Sequence, residues 1–598
     1  MPSAPTPASG RVPGPATGRR RGAPLVADLT TWRQWWAFNH DAYLLPRATS
    51  ASVRTGASDF YLGATRRPPR VTSGANAPTR AVVVGDVLPA LRAAVTAGPR
   101  DVIASGLLAL GRIALDHPGF RTFDVIAARL RDEDQRVRET AALALGLAGR
   151  TDPRCLATLR DVLHDAANGD RTRSFAAYGL GLLAHRSAAV QDQRDVFEVL
   201  DHVLREQQGA ARELRVAVVQ AMGLLSIDDH TYEGARLLRE AVTALERTMT
   251  SGGRRGEVEV LAHCPTALAR LLSREHYLAH RCKRRMAALL GGRSPETGLR
   301  QRVPHALAQS CALALGRLVR ADAACDVGVR RALVDAAREH KDAQTRYFAV
   351  IALAQIGGDD TRELLLRWFR RSNHSVARAW YALALGVLGD GHYARTGVPD
   401  VLVVEALERS FRSSKNPETV GAIAVALGLS HADRAAQRLA QRLLDHRAKE
   451  AMAAALCDAL SLVGGGSARE ALAVVVAECD RRPLLFEHAG KALARLGDPE
   501  VGERMLRRFA LGEPNYAMQI ALTEVLAAAG DRRHVAKLVE VLADPSRSAV
   551  TRASAARALG DIADGTDGRW NTPLRRNVNY RANVATLTDR QAGVLDLR

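Results

Sequence analysis

The stretch Asp134-Gln135-Arg136-Val137-Arg138-Glu139-Thr140-Ala141-Ala142-Leu143-Ala144-Leu145-Gly146 decides the fold. Its apolar residues recur at helical spacing. Ala141, Ala142 and Gly146 are small enough to let a neighbouring helix come close. Just upstream, Phe123 to Leu130 reads as a second amphipathic helix, with Asp132 and Asp134 in the turn between them. Two helices in about 33 residues cannot bury their apolar faces alone, so such units must stack on copies of themselves.

The copies are present. Leu108-Ala109-Leu110-Gly111 precedes the quoted stretch by thirty-five residues, and Tyr178-Gly179-Leu180-Gly181 follows it by the same distance. Further copies end at Gly223, Gly316, Gly386, Gly428 and Gly560, and degenerate ones place Ala354, Ser461, Ala494 and Ala527 at the same point. A weaker thirteenth near Ala269 fills the gap between Gly223 and Gly316. The expected fold is therefore all-α, a right-handed α–α superhelix of about 12–13 helix pairs. A chain of 598 residues would ordinarily suggest three to five domains; the repeat replaces that count with one elongated solenoid. Aromatic residues make up only 5% of the chain, which argues against a β-sandwich or barrel.

The repeat resembles the short bacterial HEAT repeat, the kind also found in phycobilisome lyase-like proteins, over roughly residues 86–565. An Arg stands eight residues before the Gly position in six copies: Arg138, Arg173, Arg215, Arg346, Arg378 and Arg552. In HEAT-like solenoids such an Arg commonly bonds a turn Asp of the adjacent repeat. The resemblance thus implies a structural ladder, with Asp134, Asp342 and Asp544 as acceptors. The opening Trp35-Trp36-Ala37-Phe38-Asn39 and the later Ser58-Asp59-Phe60-Tyr61-Leu62-Gly63 are similar to those of a family of uncharacterised bacterial HEAT-repeat proteins. That resemblance supports the fold and adds no chemistry.

Four regions follow. Residues 1–28 form a basic tail expected to be disordered. Residues 29–85 hold half of the six tryptophans, at a spacing for Trp32, Trp35 and Trp36 that suits one helix face. They read as an N-terminal cap and linker, or else as an aromatic patch that binds a partner. Residues 86–565 are the solenoid, interrupted at 251–302 by two glycine-containing loops. Residues 566–598 lack the repeat and either fold back along it or cap it.

Catalytic signatures are missing. There is no HExxH, no GxSxG and no Walker motif. Gly179, Gly181 and Ala184 match GxGxxA but lie inside a repeat helix, not after a strand. No His-Glu dipeptide exists, against a di-iron hydroxylase of HEAT type. His276 and His280 stand four apart and would share a helix face, a spacing a zinc ion can use. The neighbouring Arg281, Lys283, Arg284 and Arg285 oppose a cation there. No cofactor is expected.

The net charge is +20, unevenly spread. Residues 1–80 carry net +8, 251–302 net +7 and 569–598 net +4, so the regular repeats are nearly neutral. The seven cysteines form no CxxC, which fits a reducing compartment. No apolar run is long enough to span a bilayer, so the expected location is cytoplasmic, or exported should the true start lie upstream. The function expected is a non-enzymatic scaffold or adaptor that binds a protein or peptide on an extended helical-repeat surface. Its candidate partner-binding residues are Trp32, Trp35, Trp36, Arg254, Arg255, Arg281, Lys283, Arg284 and Arg285. The alternatives are a nucleic-acid or polyanion binder acting through 251–302, and a phycobilin lyase-like enzyme.

Overall fold

The computed structural model describes residues 29–44, 78–149, 152–206, 211–251, 257–479, 481–510, 515–564, 569–589 and 592–597. Among them, thirteen outer–inner helix pairs follow one another along the chain. The inner helices of repeats 1 to 6 are Arg100–Ile113, Gln135–Ala148, Asp170–Arg186, Arg212–Met222, Val258–Leu271 and His305–Leu318. Those of repeats 7 to 13 are Ala343–Ile356, Ser375–Thr396, Pro417–Leu429, Glu450–Val463, Pro483–Arg495, Tyr516–Ala529 and Ala549–Ala563. Each packs against the next.

The recurring small residue explains the spacing. A Cβ built on Gly146 would lie 2.2 Å from the carbonyl oxygen of Gly179, and one on Gly181 would lie 2.6 Å from the Cα of Ala221. In each case the Gly meets the residue two places before the Gly position of the next repeat. Gly223 meets Ala267 in the same way, at 2.8 Å from its Cα. The weak copy near Ala269 is therefore a full repeat in register. The segment 251–302, expected to break the solenoid, instead supplies the inner helix Val258–Leu271 and the outer helix Tyr277–Leu290 of a continuous stack.

The solenoid does not stay open. The inner helix of repeat 13 packs against that of repeat 1, and the outer helix Val535–Ala543 against Leu88–Ala97. Arg112 of repeat 1 is buried and bonds Asp564 at 3.0 Å as well as Asp561. The thirteen repeats form a closed ring, at about 28° of rotation per repeat. An elongated stack would need two caps to cover its apolar ends; here each end covers the other.

Helix starts follow local chemistry. Asp134, Asp342, Asn416, Asn515 and Ser548 each accept backbone N–H bonds at the start of an inner helix. No helix among the described residues is long and apolar enough to cross a membrane.

Candidate interaction surface

The centre of the ring is filled by the chain's own ends. The helix Trp32–Asn39 lies against repeats 8 to 10. The Trp380 indole donates to the Thr30 carbonyl (3.1 Å), Trp32 donates to Glu418 (2.8 Å), and Trp36 donates to Asp458 (2.9 Å). Asp458 also bonds the His488 Nδ1 at 2.8 Å. Burial alone would raise the Asp458 pKa, but the His488 charge and the two hydrogen bonds together hold it below the usual carboxylate range.

The C-terminal segment takes the other side. His263 bonds the Ala582 carbonyl through Nε2 (2.9 Å) and the Gln220 side chain through Nδ1 (2.7 Å). Gln220 in turn accepts from Arg270, which also donates to the Leu574 carbonyl (2.9 Å). Arg171 reaches the Ala592 carbonyl and Asn579 that of Ala306, both at 2.8 Å. The two ends also meet each other. Phe38 stacks on Tyr580 at 5.2 Å, and Arg575 donates to the Ala37 carbonyl (2.8 Å). Asn577 N–H donates to the Asn39 side chain (2.9 Å).

This placement corrects two expectations. Trp32, Trp35 and Trp36 are 2%, 1% and 5% exposed, so they cannot form a patch for a partner. Nor do they cap a solenoid end. An apolar lumen without a filler would leave a ring of inner helices facing water, and the tryptophans supply the large buried area that fills it. The Ser58–Gly63 motif lies outside the described residues.

The ladder arginines behave otherwise than the resemblance implied. Arg138 donates to the carbonyls of Asp132 and Glu133 (2.6 and 2.9 Å), Arg346 to that of His340 (2.6 Å), and Arg378 to that of Ser372 (3.2 Å). Arg173 and Arg552 reach the carbonyls of Leu163 and Leu542 (2.8 and 2.9 Å). These carbonyls belong to the turn inside the same repeat, where the outer helix ends with unpaired C=O groups. Arg215 bonds an acid of the next repeat, Glu257, and Arg378 also reaches the Ser410 hydroxyl of the next repeat (3.1 Å). Asp134 and Asp342 cap their own inner helices instead. The bonds between repeats come two residues earlier, from Arg136 to Asp101 (3.0 Å) and from Arg171 to Glu139 (2.7 Å).

The basic cluster of 281–285 is largely neutralised. Arg281 grips Glu246 with two bonds (2.5 and 3.2 Å), and Arg285 pairs with Glu246 and Glu296. Lys283 is buried and paired with both oxygens of Asp326 (2.7 and 2.9 Å). Arg284 alone is exposed with no acidic partner among the described residues. Arg254 and Arg255 lie outside those residues.

His276 and His280 do not share a helix face. His276 precedes the helix Tyr277–Leu290 as its cap, accepting from Leu278 N–H (3.1 Å) and pairing with Asp229 (3.4 Å). His280 instead converges with Cys325 and Asp326. That carboxylate is already committed to Lys283 and to Arg320 N–H (2.8 Å), which opposes a cation at the same oxygens.

Open positive charge lies elsewhere, in an arc over repeats 6 to 8. Arg284, Arg300, Arg302, Arg338, Lys341, Arg367, Arg370 and Arg371 are exposed, and none has an acidic partner among the described residues. Ring contacts tie the arc together. His305 meets His340 at 5.9 Å across repeats 6 and 7, and Arg338 lies 5.7 Å from the Trp368 ring across repeats 7 and 8. Within the arc is a cleft of about 220 Å³ lined by Ala337, Arg346, Tyr347, Val350, His374, Ala377 and Tyr381. Tyr347 stacks on Trp380 (5.2 Å, 8°), and Tyr381 leans on Trp368 (5.9 Å). Burial raises the pKa of both phenols. The sequence signal for this site was the run Arg367-Trp368-Phe369-Arg370-Arg371, with His340-Lys341 one repeat earlier.

The HEAT-repeat family matches residues 88–181 and 286–386. No curated protein matches the sequence at a significant level. Among solved structures, Kap121p is similar at 13% identity, over 79% of this chain and 54% of that one, with a TM-score of 0.32. Importin beta is similar at 12% identity over 78% and 72% of the two chains (TM-score 0.33). An engineered protein is similar at 17% identity over 79% and 98% (TM-score 0.22). The chain spans about half the length of Kap121p.

Proposed function

We propose that this HEAT-repeat ring is a non-enzymatic scaffold that binds a protein partner on its outer surface. The observation that carries the reading is the filled lumen. Solenoids commonly present a concave face to their ligands, but here that face is covered by residues 29–44, 569–589 and 592–597, through buried bonds such as Trp36 to Asp458 and His263 to Ala582. Binding therefore falls to the rim, where the arc of repeats 6 to 8 carries exposed positive charge without acidic partners among the described residues. Crosslinking in the native cell, followed by mass spectrometry, tests this. Crosslinks to one protein should concentrate between residues 284 and 374. Recovery of no protein partner, or crosslinks confined to repeats 1 to 4, would contradict it.

A second reading is favoured by the same unpaired charge: a polyanion such as nucleic acid on the arc. Its binding would weaken steeply with salt. Charge reversal at Arg284, Arg370 and Arg371 tests it, whereas reversal at Arg281 or Arg285 would strand buried Glu246 and disturb folding instead.

A further inference from the structure

We infer that the cleft between repeats 7 and 8 receives one aromatic side chain from an acidic segment of a protein partner, with the segment's carboxylates lying on the surrounding arc. This rests on the scaffold reading and names the kind of segment it would hold.

Three observations carry it. The first is size. At about 220 Å³ the cleft falls below the roughly 300–1,000 Å³ usual for small-molecule sites. It admits a single large side chain and no folded element. The second is lining. Ala337, Val350 and Ala377 give an apolar floor, and the rings of Tyr347 and Tyr381 stand at its sides. Tyr347 has already given one face to Trp380, and Tyr381 rests on Trp368, so an entering ring would meet them in tilted or edge contacts of the kind aromatic pairs favour. The third is charge. Arg346 lines the cleft and bonds the His340 and Lys341 carbonyls, which fixes the Lys341 turn at its edge. Arg370 and Arg371 precede His374, another lining residue, and are exposed without acidic partners among the described residues. Exposed Asp335, Glu339 and Glu363 lie on the same outer helices, but the basic residues of the arc outnumber them, and an acidic chain is the complement of that surface.

A nucleic-acid strand fits less well. Single-strand binders offer a row of stacking platforms along a basic track. The arc carries one aromatic cleft, whose rings have each given part of their surface to a tryptophan.

The test uses the full chain as bait for a displayed library of random twelve-residue peptides. Enriched peptides should carry one Phe, Tyr or Trp flanked by Asp and Glu. A synthetic peptide of the enriched sequence should bind with a strong salt dependence. Two variants then probe the site without removing buried groups: Ala377→Trp fills the cleft, and Arg370→Glu with Arg371→Glu reverses the arc. Each should weaken the peptide at least tenfold while the circular dichroism spectrum and melting temperature stay those of the unaltered chain. Enrichment without acidic residues, peptide binding unchanged in both variants, or tighter binding of a twenty-residue oligothymidylate than of any selected peptide would overturn the inference. If Ala377→Trp still crosslinks to the same cellular partner through the same residues, the cleft is wrong and the scaffold stands. If the unaltered chain crosslinks to no protein, the scaffold reading itself fails.

Discussion

Gly560 of the last repeat stands over Ala109 of the first: a Cβ built on Gly560 would lie 2.7 Å from the Ala109 Cβ. Ala109 is two residues before Gly111, the same offset at which Gly146 meets Gly179, Gly181 meets Ala221 and Gly223 meets Ala267. The seam of the ring thus repeats the register of the interfaces within it. Arg112, three residues after Ala109, lies buried against Asp561 and Asp564 and fixes the same junction by charge.

Gly560→Leu should destabilise the chain by about 1–3 kcal/mol, the usual cost of forcing extra carbons into a packed contact. A urea titration reads the loss. Because the seam is where the ring opens, the radius of gyration from small-angle X-ray scattering should also rise. Gly169→Ala, where a new Cβ meets nothing within 4 Å, should leave both measurements unchanged.

The chain ends should order together. Arg575 donates to the Leu595 carbonyl (2.6 Å) within its own segment and to the Ala37 carbonyl (2.8 Å) of the other, with its guanidinium 5.2 Å from the Phe38 ring. Arg575→Ala removes both of these charge-assisted bonds, at about 1.5–3 kcal/mol each. Hydrogen exchange should quicken in residues 32–39 as well as in 569–597. Exchange confined to the C-terminal segment would show that the two ends fold independently.

The legibility of this molecule was uneven for physical reasons. The small-residue position carries the whole repeat, and even the degenerate copy at Ala269 could be read because a close helix contact tolerates so few side chains. Closure left no such mark: Gly560 would read identically against a cap or against Ala109. The charge of 251–302 was visible, but its neutralisation was not, since Glu246 and Asp326 come from neighbouring repeats. Arg138 and its equivalents were recognisable as structural, yet for all but Arg215 the acceptors include turn carbonyls, which every residue has and no sequence distinguishes. The arc has no sequence mark of its own, because Arg370 and Arg371 differ from other surface arginines only in having no acidic partner among the described residues.

Acid should loosen the C-terminal segment through His263. Burial pushes its pKa down to about 4, against an ordinary 6.5, with the Ala582 bond only partly offsetting that. Near pH 7 the ring is neutral whether the chain is folded or unfolded, and its contribution is complete. As pH falls from 6.5 towards 4, the unfolded chain takes up a proton that the folded chain refuses, so stability declines. At pH 5 the loss is about 2 kcal/mol. His263→Gln should lose correspondingly less stability between pH 7 and pH 5 in urea titrations. Equal losses in both proteins would remove His263 from the account. His488 runs the other way. Burial lowers its pKa but Asp458 outweighs that, so its contribution is complete below about pH 6.5 and fades as pH rises through the higher folded value.

Lys283→Met should cost about 3–5 kcal/mol, because it leaves Asp326 buried and charged. The double change Lys283→Met with Asp326→Asn should recover much of that loss. A thermal melt of the two variants reads the difference, and an additive result would show that the pair does not act as a unit.

Thirteen repeats close on themselves, and a distance across the seam tests that closure most directly. Spin labels at Arg92→Cys and Glu540→Cys, both exposed on the outer helices of repeats 1 and 13, can be measured by pulsed electron resonance after the exposed Cys325 is changed to Ser. These helices pack together, so the distance should lie below about 30 Å, the spacing of adjacent helices plus the reach of the labels. An open stack of thirteen pairs, at about 10 Å per pair, would place the labels beyond about 60 Å, and a distribution centred there would contradict the ring.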